Sequence, residues 1–317
     1  MSKKAWTIGF IALLAVIVWV FWFVEYRGEA GRLSALPEKA MHVVFLDVGY
    51  GDCAWIRTPN GENFLIDAGP GTVGRLHDFA QTLYYSTANV KISLGEYLAS
   101  QGVRRLRAVF VSHSHFDHWG GLNALLSEGK ISIGAVYEST SSLSTPAYDK
   151  FKTLLSEKGV PVIGLFAGQD VAVGDPAVSL KVLGPRHAYL DTGYDLANRS
   201  LILRLTMGDV SVLFPGDIGE EAEFDVLEVG ELLRSTVLKI STHASRHATS
   251  TPFLDGVDPS IAVISLDTPN PFGTPHDDML QKLIDRNIEY YRTDVDGDVT
   301  FVTDGKKWRV SAAKRAG

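Results

Sequence analysis

A cluster of histidine and aspartate side chains directly follows a short apolar segment in the first half of the chain. Residues 108–112 are apolar and rich in β-branched side chains, which is typical of a strand buried on both faces. The next residues form an H-x-H-x-D-H motif made of His113, His115, Asp117 and His118. Imidazole and carboxylate groups are good ligands for borderline divalent metal ions. The motif therefore predicts a metal site at a strand end, and the simpler alternative is a histidine-rich surface loop.

The spacing within the motif predicts how the ligands divide between ions. Side chains two residues apart on an extended segment point to the same side, so His113 and His115 can share a first ion. A turn after His115 then brings Asp117 and His118 to a second ion. We expect the glycine pair that follows to let the backbone leave the crowded site before the next helix.

Beyond Met41 the sequence alternates between β-rich and amphipathic runs. With 45% hydrophobic and 21% charged residues, the composition is that of a globular protein. Strands are predicted at 43–48, 54–57, 63–67, 108–112, 133–137, 180–183, 201–206, 210–214, 237–240 and 261–265. Helices are predicted at 91–100, 122–127, 148–157, 220–227 and 279–285. This mixture predicts an α/β fold with two sheets and helices outside them.

Charge and cysteine content limit the function. The formal net charge is −7, and an acidic surface repels nucleic acid at long range, which disfavours a broad DNA-binding face but leaves room for a local basic cleft. Cys53 is the single cysteine, so no intramolecular disulfide can form. Its apolar neighbours predict a buried, unreactive thiol rather than a catalytic one.

An uncharged apolar segment lies near the N-terminus. Residues 6–24 are long enough, at ~1.5 Å per residue, to approach the hydrocarbon thickness of a bilayer. Lys3 and Lys4 precede this segment, so the positive-inside rule places the N-terminus in the cytoplasm and the rest of the chain outside, in an extracellular or periplasmic position. A cleaved signal peptide, which would yield a secreted protein, is the alternative. The predicted organisation is a single-pass anchor or uncleaved signal at 1–27, a linker at 28–40 and one folded domain at 41–317.

Several short stretches beyond Met41 occur in an order and spacing that are more specific together than alone. They are Phe45 to Asp52, Leu65 to Pro70, Ser112 to Gly121, Asn198 to Leu201, Pro215 to Ile218, Leu238 to Ser245 and Arg292 to Gly297. In these stretches the chain resembles the metallo-β-lactamase superfamily, and more narrowly the hydrolase domain of ComEC-type competence DNA-uptake proteins. The resemblance implies a four-layer αββα sandwich, here preceded by one N-terminal transmembrane helix.

The same resemblance implies a centre with two metal ions. The implied ligands are His113 and His115 for one ion, Asp117 and His118 for the other, Asp217 as a bridge, and His243. Mixed imidazole and carboxylate ligands favour zinc and also suit manganese. Two such ions activate water as hydroxide and stabilise charge on a substrate oxygen, and Asp117 and Asp217 are the implied catalytic carboxylates.

Three positions depart from the family pattern. The family histidine expected between the first cluster and Asp217 has no clear counterpart, since His187 lies in a loop after a proline. Thr242 and Thr274 stand where the family has histidine. His276, which lies just beyond Thr274, is the candidate replacement.

Further residues are candidates for contacts with the ligands or the substrate. Asp47 and Asp52 flank a glycine-rich turn, and they either accept hydrogen bonds from ligand histidines or stabilise the turn itself. Asp67 either accepts a hydrogen bond from a ligand histidine in the same way or simply ends its strand. Arg199 and Ser200 match a family stretch beside the site, and Arg199 is expected either to contact a phosphate or to be solvated.

The remaining charged and histidine residues have structural interpretations. An arginine run before the central strand is predicted to be a solvated patch at the opposite end of that strand. Three alternating aspartates lack the spacing of an EF-hand and are predicted to form a hairpin turn. The arginines are Arg104, Arg105 and Arg107, the aspartates are Asp294, Asp296 and Asp298, and the histidines taken as structural or exposed are His42, His77 and His247.

These observations support three hypotheses. The first is an outward-facing, membrane-anchored, metal-dependent hydrolase of phosphodiesters, with DNA or another nucleic acid as substrate and a possible membrane channel as partner. The second keeps the fold and the metals but has esters, thioesters or lactams as substrates. The third is a non-catalytic, metal-stabilised binding module in an envelope assembly, and it is motivated by the threonine replacements.

Overall fold

Two β-sheets form the centre of the part of the chain that the computed structural model describes, residues 39–71, 91–189 and 195–314. The first sheet contains β1 (Met41–Phe45), β2 (Ala54–Arg57), β3 (Asn63–Ile66), β5 (Ala108–Phe110), β7 (Val136–Ser139), β8 (Val162–Leu165), β16 (Val299–Thr303) and β17 (Trp308–Ala312). The second contains β9 (Asp170–Val171), β10 (Ser179–Gly184), β11 (Ile202–Met207), β12 (Val210–Phe214), β13 (Val237–Lys239), β14 (Ile261–Ile264) and β15 (Glu289–Arg292). A small two-stranded sheet consists of β4 (Arg105–Leu106) and β6 (Ser132–Ile133).

The helices lie between these strands in the chain. They are α1 (Leu94–Ser100), α2 (Phe116–Glu128), α3 (Pro146–Glu157), α4 (Asp195–Asn198), α5 (Glu220–Leu227), α6 (Thr251–Val257), α7 (Asp277–Asp285) and α8 (Thr293–Asp296), with 3-10 turns at Gly230–Leu233 and Ser241–Ala244. Helix α1 begins later than the predicted residue 91 because Ser93 caps it, its side chain accepting a hydrogen bond from the backbone N–H of Glu96.

Each sheet is antiparallel in one half and parallel in the other. The first has the order β17-β16-β1-β2-β3-β5-β7-β8, antiparallel from β17 to β3 and parallel from β3 to β8. The second has the order β15-β14-β13-β12-β11-β10-β9, parallel from β15 to β12 and antiparallel from β12 to β9. In the parallel halves the carboxyl ends of the strands share one edge, where open α/β sheets place their ligands.

The main core lies between the two sheets. In β1, Met41, Val43 and Phe45 belong to the apolar cluster between the sheets, whereas Val44 packs with the outer helices. Phe45 stacks on Phe214 of the second sheet with ring centroids 5.7 Å apart. Such an aromatic pair contributes about 0.5–1.5 kcal/mol beyond the burial of its area. The inter-sheet core therefore holds the two halves together.

Helices cover the outer face of each sheet. Leu98 of α1, Trp119 of α2 and Phe151 of α3 pack in one apolar cluster with the first sheet. Phe253 of α6 and Met279 of α7 pack in another with the second sheet. The layers follow the order helix, sheet, sheet, helix, so the predicted four-layer sandwich is confirmed.

The predicted anchor at residues 6–24 lies outside the described residues, as does nearly all of the predicted linker. Within the described ranges, no helix combines the length and the apolarity that a membrane span requires. The compact unit that contains both sheets begins at Lys39. The division into an anchor, a linker and a domain stays a prediction.

Helix α2 begins earlier than the sequence predicts. We expected a turn after His115 and a helix from residue 122, but His115 is already the N-cap of α2. Asp117 and His118 consequently lie in its first turn, where both side chains are buried.

The glycine pair lies inside α2 rather than in a connection. A Cβ atom on Gly120 would lie 1.8 Å from the carbonyl oxygen of Pro70, and one on Gly121 would lie 2.1 Å from that of Ala68. These two glycines therefore let the helix approach the loop after β3, and this contact places the motif against that loop.

The predicted hairpin turn at residues 294–298 is wrong, because this segment connects the two sheets. Helix α8 leads from β15 in the second sheet to β16 in the first. Asp294 accepts hydrogen bonds from the guanidinium of Arg292, at 2.7 Å from Nη2, and Asp296 accepts from the Arg292 backbone N–H at 2.7 Å. Asp298 accepts from the backbone N–H of Asp47 at 2.8 Å. The three carboxylates thus stabilise a crossing between the sheets.

Candidate metal centre

The loops that follow four strands meet at one edge of the sandwich. Strand β3 leads to Asp67, β5 to His113, β12 to Asp217, and β13 to His243. All four side chains are buried. Two of these loops come from each sheet, so the centre lies where the carboxyl ends of both parallel halves converge.

Three groups of side chains at this edge can hold a metal ion. One is Asp52, Asp67 and His118, and the other two, which contain the predicted ligands, share the carboxylate of Asp217. Within each group the ligand atoms lie within 4.8 Å of one another. Of the two ligand groups that share Asp217, the first is Asp117, His118, Asp217 and His243, and the second is His113, His115 and Asp217. The structure thus brings together all six predicted ligands, with Asp217 in the shared position.

Buried polar atoms of the first group have no hydrogen-bond partner among the described residues. They are His118 Nε2, His243 Nε2 and Asp117 Oδ1. Both imidazole Nε2 atoms lie 3.3 Å from the same oxygen, Asp217 Oδ2. A buried polar atom without a partner costs about 1–3 kcal/mol, whereas imidazole nitrogens and carboxylate oxygens are zinc ligands. The residues present therefore fit a divalent ion.

Hydrogen bonds on the far side of each ring orient the ligand histidines. His118 Nδ1 lies 2.9 Å from Asp67 Oδ2, and His243 Nδ1 lies 2.8 Å from the carbonyl oxygen of Ser265. A carbonyl or carboxylate oxygen only accepts, so each Nδ1 donates and each Nε2 is directed towards the centre. Asp67 also accepts from the backbone N–H of Ser112 at 2.7 Å, which holds it in place.

The pKa values of the histidines shift in opposite directions in the two ligand groups. Burial lowers the pKa of His113 and of His115, which favours the neutral form that binds metal. Burial also lowers the pKa of His118 and His243, but the nearby carboxylates, above all Asp217, raise it by more, and the pKa of both rings lies well above the usual value. A metal ion in the first group must therefore displace protons.

The loop that presents His243 has a strained backbone. Thr242, His243 and Ala244 have φ values of 48°, 49° and 66°, in the left-handed region that β-branched residues such as threonine rarely adopt. Thr242 compensates with hydrogen bonds: its backbone N–H donates to Asp217 Oδ1 at 3.2 Å, and its hydroxyl donates to the Asp217 carbonyl at 3.0 Å. These hydrogen bonds therefore couple the position of His243 to that of Asp217.

Comparison with known proteins agrees with this geometry. A family model described as the metallo-beta-lactamase superfamily matches residues 46–285. The chain belongs to the metallo-β-lactamase superfamily. The matched residues include the loops that carry Asp67, His113, Asp217 and His243.

The chain is also similar to competence proteins. It is 27% identical over 270 residues to ComE operon protein 3 of Bacillus subtilis (strain 168), which covers 82% of this chain and 32% of that protein. It is 27% identical over 280 residues to competence protein ComA of Neisseria gonorrhoeae, covering 88% of this chain and 34% of that protein. The resemblance to ComEC-type proteins is thus confirmed, and the chain spans about a third of the length of these relatives.

Among solved structures, the chain is similar to Igni18, a metallo hydrolase from the hyperthermophilic archaeon Ignicoccus hospitalis KIN4/I. The match has a TM-score of 0.51 at 16% identity and covers 82% of this chain and 98% of Igni18. At this identity the likeness shows the fold alone, and it agrees with the four-layer sandwich.

The positions that depart from the family pattern lie near the centre without joining it. Thr242 and Thr274 leave both ligand groups intact, and the Thr274 hydroxyl lies 3.3 Å from Asn270 Oδ1. His276 is the N-cap of α7, and its Nδ1 accepts a hydrogen bond from the backbone N–H of Arg246 at 3.2 Å. Neither His276 nor the exposed His187 belongs to a ligand group of the described residues.

The two aspartates of the glycine-rich turn have different surroundings. Asp52 Oδ1 lies 3.5 Å from His243 Nδ1 but has no hydrogen-bond partner among the described residues, so its role as an acceptor for a ligand histidine stays a prediction. The carboxylate of Asp47 instead pairs with Lys91 at 2.9 Å and with Lys314 at 3.1 Å. Asp47 therefore lies in a separate ionic cluster at the edge of the sheets.

Arg199 is buried, so the alternative of a solvated side chain is wrong. Its Nε and Nη2 donate to the carbonyl of Tyr189 at 2.9 and 2.6 Å, and its Nη1 donates to that of Ser141 at 3.2 Å. Ser200 accepts a hydrogen bond from the backbone N–H of Asp217 at 3.3 Å, which supports the shared ligand. The contact of Arg199 with a phosphate stays a prediction.

The remaining interpretations of single residues have mixed outcomes. Cys53 is buried, as predicted. Arg104 and Arg105 are exposed, and Arg107 is partly exposed and lies 3.5 Å from Glu62, in keeping with a solvated patch. The exposed His247 and the partly buried His42 lie outside both ligand groups, and His77 lies outside the described residues.

Two residues of the centre were missed in the sequence. Tyr50 is buried, with its ring 4.5 Å from that of His243 and 4.9 Å from that of Phe272. Burial raises the pKa of its phenol, which stays neutral. Lys239 is the other, and its ammonium contacts Asp217. Of the two, only Lys239 could have been found from the sequence, because a charged residue ends the otherwise apolar strand β13.

Proposed function

We propose that this metallo-hydrolase is a phosphodiesterase, with DNA or another nucleic acid as its favoured substrate. The observation that carries metal-dependent hydrolysis is the pair of ligand groups that share Asp217. The Nε2 atoms of His118 and His243 have no hydrogen-bond partner among the described residues, and each lies 3.3 Å from Asp217 Oδ2. Similarity to competence proteins supports nucleic acid as the substrate class.

Each side chain of the centre has a distinct part in this proposal. When bound, divalent ions supply a nucleophile from water near neutral pH and stabilise charge on the phosphoryl oxygens. Asp67 and Ser265 keep the rings of His118 and His243 turned towards the centre. Asp117 Oδ1 is buried and has no hydrogen-bond partner among the described residues. It would accept a hydrogen bond from the attacking water and orient it.

The proposal extends to the membrane. Residues 6–24 would anchor the chain, with the N-terminus in the cytoplasm and the catalytic domain outside. If nucleic acid is to cross the membrane, we expect a separate membrane channel as the partner. Protease treatment of intact cells tests the topology, because an outward-facing domain is cleaved and an inward-facing one is protected.

Metal content and hydrolysis, measured on the same preparation of the full-length chain, test the activity. We expect about two ions per chain, and hydrolysis of bis-p-nitrophenyl phosphate with zinc or manganese. His115→Ala should lower turnover at least about 100-fold. Loss of a residue that only hydrogen-bonds a metal ligand typically costs about 10–100-fold, and His115 is itself a proposed ligand. His187→Ala is the matched control, since His187 is exposed and lies outside both groups.

The alternatives give different results in the same experiment. Turnover of esters, thioesters or lactams without turnover of phosphodiesters would show the second class of substrate. Bound metal without turnover of any substrate would show a binding module. The intact ligand groups beside Thr242 and Thr274 favour catalysis over that last outcome.

A further inference from the structure

Lys239 is a buried lysine at the floor of the metal centre. It is the last residue of β13 and is 3% exposed. Val237 faces the inter-sheet core and Leu238 faces the outer helices. Because side chains alternate between the two faces of a strand, Lys239 points, like Val237, towards the opposite sheet. Lysine is almost never fully buried unless it is paired, and its partners therefore indicate its role.

The ammonium group joins carboxylates that come from both sheets. Lys239 Nζ lies 3.4 Å from Asp217 Oδ1 and forms an ion pair with Asp52 Oδ2. Asp217 follows β12 of the second sheet, and Asp52 precedes β2 of the first. Lys239 thus bridges the two halves of the sandwich at the level of the metal ligands.

The two carboxylate oxygens of Asp217 consequently have different surroundings. Oδ1 lies near Lys239 and accepts a hydrogen bond from the backbone N–H of Thr242 at 3.2 Å. Oδ2 faces His118 and His243, at 3.3 Å from each Nε2. A carboxylate held through one oxygen loses rotational freedom, so its other oxygen keeps a defined direction.

We propose that Lys239 is a positioning residue for Asp217. It holds Oδ1, so that Oδ2 stays directed at the space between His118 and His243, and its pairing with Asp52 fixes its own place. Lys239 acts through Asp217 and does not itself contact the substrate. This inference rests on the proposed metal centre.

Cobalt binding tests the inference separately from hydrolysis. The full-length chain and Lys239→Met are titrated with Co²⁺, whose visible absorption reports the ligand geometry. We expect the dissociation constant of the variant for Co²⁺ to rise by about 10–100-fold, as is typical when a residue that hydrogen-bonds a metal ligand is replaced. We also expect the absorption bands to change, because the carboxylate of Asp217 can then rotate. A dissociation constant within about twofold of the wild-type value with an unchanged spectrum, or tighter binding, would overturn the proposal.

Lys91→Met is the matched control. Lys91 also bridges carboxylates that follow strands of both sheets, at 2.9 Å from Asp47 and 2.8 Å from Asp267. These carboxylates lie outside the ligand groups of the described residues. The control should bind Co²⁺ like the wild type, which would show that the loss of a cross-sheet lysine does not by itself alter the spectrum.

A second variant keeps the test decisive if Lys239→Met does not fold. Removing one partner of a buried ion pair leaves an uncompensated charge, whereas Lys239→Met combined with Asp52→Asn removes both charges. The double variant should show the same change in cobalt binding, and wild-type behaviour would overturn the proposal.

If the wild-type chain itself binds no cobalt, both the metal centre and this inference fail. If it binds cobalt and hydrolyses phosphodiesters while the variants match it, only this inference fails.

Discussion

His118 Nδ1 and Asp67 Oδ2 lie 2.9 Å apart, and this contact between the first turn of α2 and the end of β3 decides which ring nitrogen faces the metal centre. Asp67 is 2% exposed, and its carboxylate also accepts a hydrogen bond from the backbone N–H of Ser112. Its carboxylate therefore acts as a fixed acceptor that orients the ring of His118.

Asp67→Asn should weaken metal binding. An asparagine presents an amide nitrogen or a weaker acceptor to His118 Nδ1, so the ring loses its defined orientation. We expect zinc affinity to fall by about 10–100-fold, measured by competition with a chromophoric chelator. Asp175→Asn is the matched control, since Asp175 is buried and accepts backbone N–H groups at 2.9 Å from Asn60 and Ala177. Equal effects of both variants would contradict the prediction.

Metal binding should release protons and strengthen as pH rises. The carboxylates around His118 and His243 raise the pKa of both rings well above the usual value, against the opposite effect of burial. A metal ion binds only the neutral Nε2, so each ring gives up a proton, and binding becomes tighter as pH rises towards those pKa values. Calorimetry in buffers of different ionisation enthalpy measures the released protons, and a buffer-independent enthalpy would refute the expectation.

Gly120→Ala should destabilise the protein, although alanine normally favours a helix. The new Cβ would lie 1.8 Å from the carbonyl oxygen of Pro70, which is backbone and cannot move aside. Such overpacking costs about 1–3 kcal/mol of unfolding free energy, measured by urea denaturation. Gly95→Ala in α1 is the control, because its closest contact, at 2.3 Å, is Oε2 at the flexible end of Glu128. The prediction fails if the two variants are equally stable.

His42 should reduce stability on the acid side of neutrality. Burial lowers the pKa of His42, and the positive charges of Arg57 and Arg309 lower it further. The unfolded chain then binds more protons than the folded one below a pH of about 6.5, so this residue makes the folded state lose stability as pH falls through that range. In His42→Gln the loss of urea stability between neutral and mildly acidic pH should be smaller than in the wild type. An unchanged difference would show that His42 does not contribute.

The fold and four of the six candidate ligands were predictable because they depend on local patterns. Alternation of apolar residues locates most strands, and the sandwich follows from placing helices outside two sheets. The H-x-H-x-D-H motif identifies four ligands from a single segment. Asp217 and His243 followed from family resemblance rather than spacing, since no local rule relates residues a hundred positions apart.

The start of α2 was predicted incorrectly because propensity and tertiary contact disagree there. Glycine disfavours helix interiors, so Gly120 and Gly121 suggested a break. Close packing against Pro70 and Ala68 reverses this preference, because the absence of a Cβ atom is what allows the helix and the loop to approach.

The sequence by itself determined that this chain builds two facing sheets and places candidate imidazole and carboxylate ligands after strands, because strand periodicity and the motif are encoded by neighbouring residues. Only the tertiary structure decided that Asp67 and Ser265 orient His118 and His243, and that Lys239 bridges Asp52 and Asp217. These contacts join residues from different strands and different sheets. Their geometry exists only once the carboxyl ends of the two parallel halves have been brought to one edge.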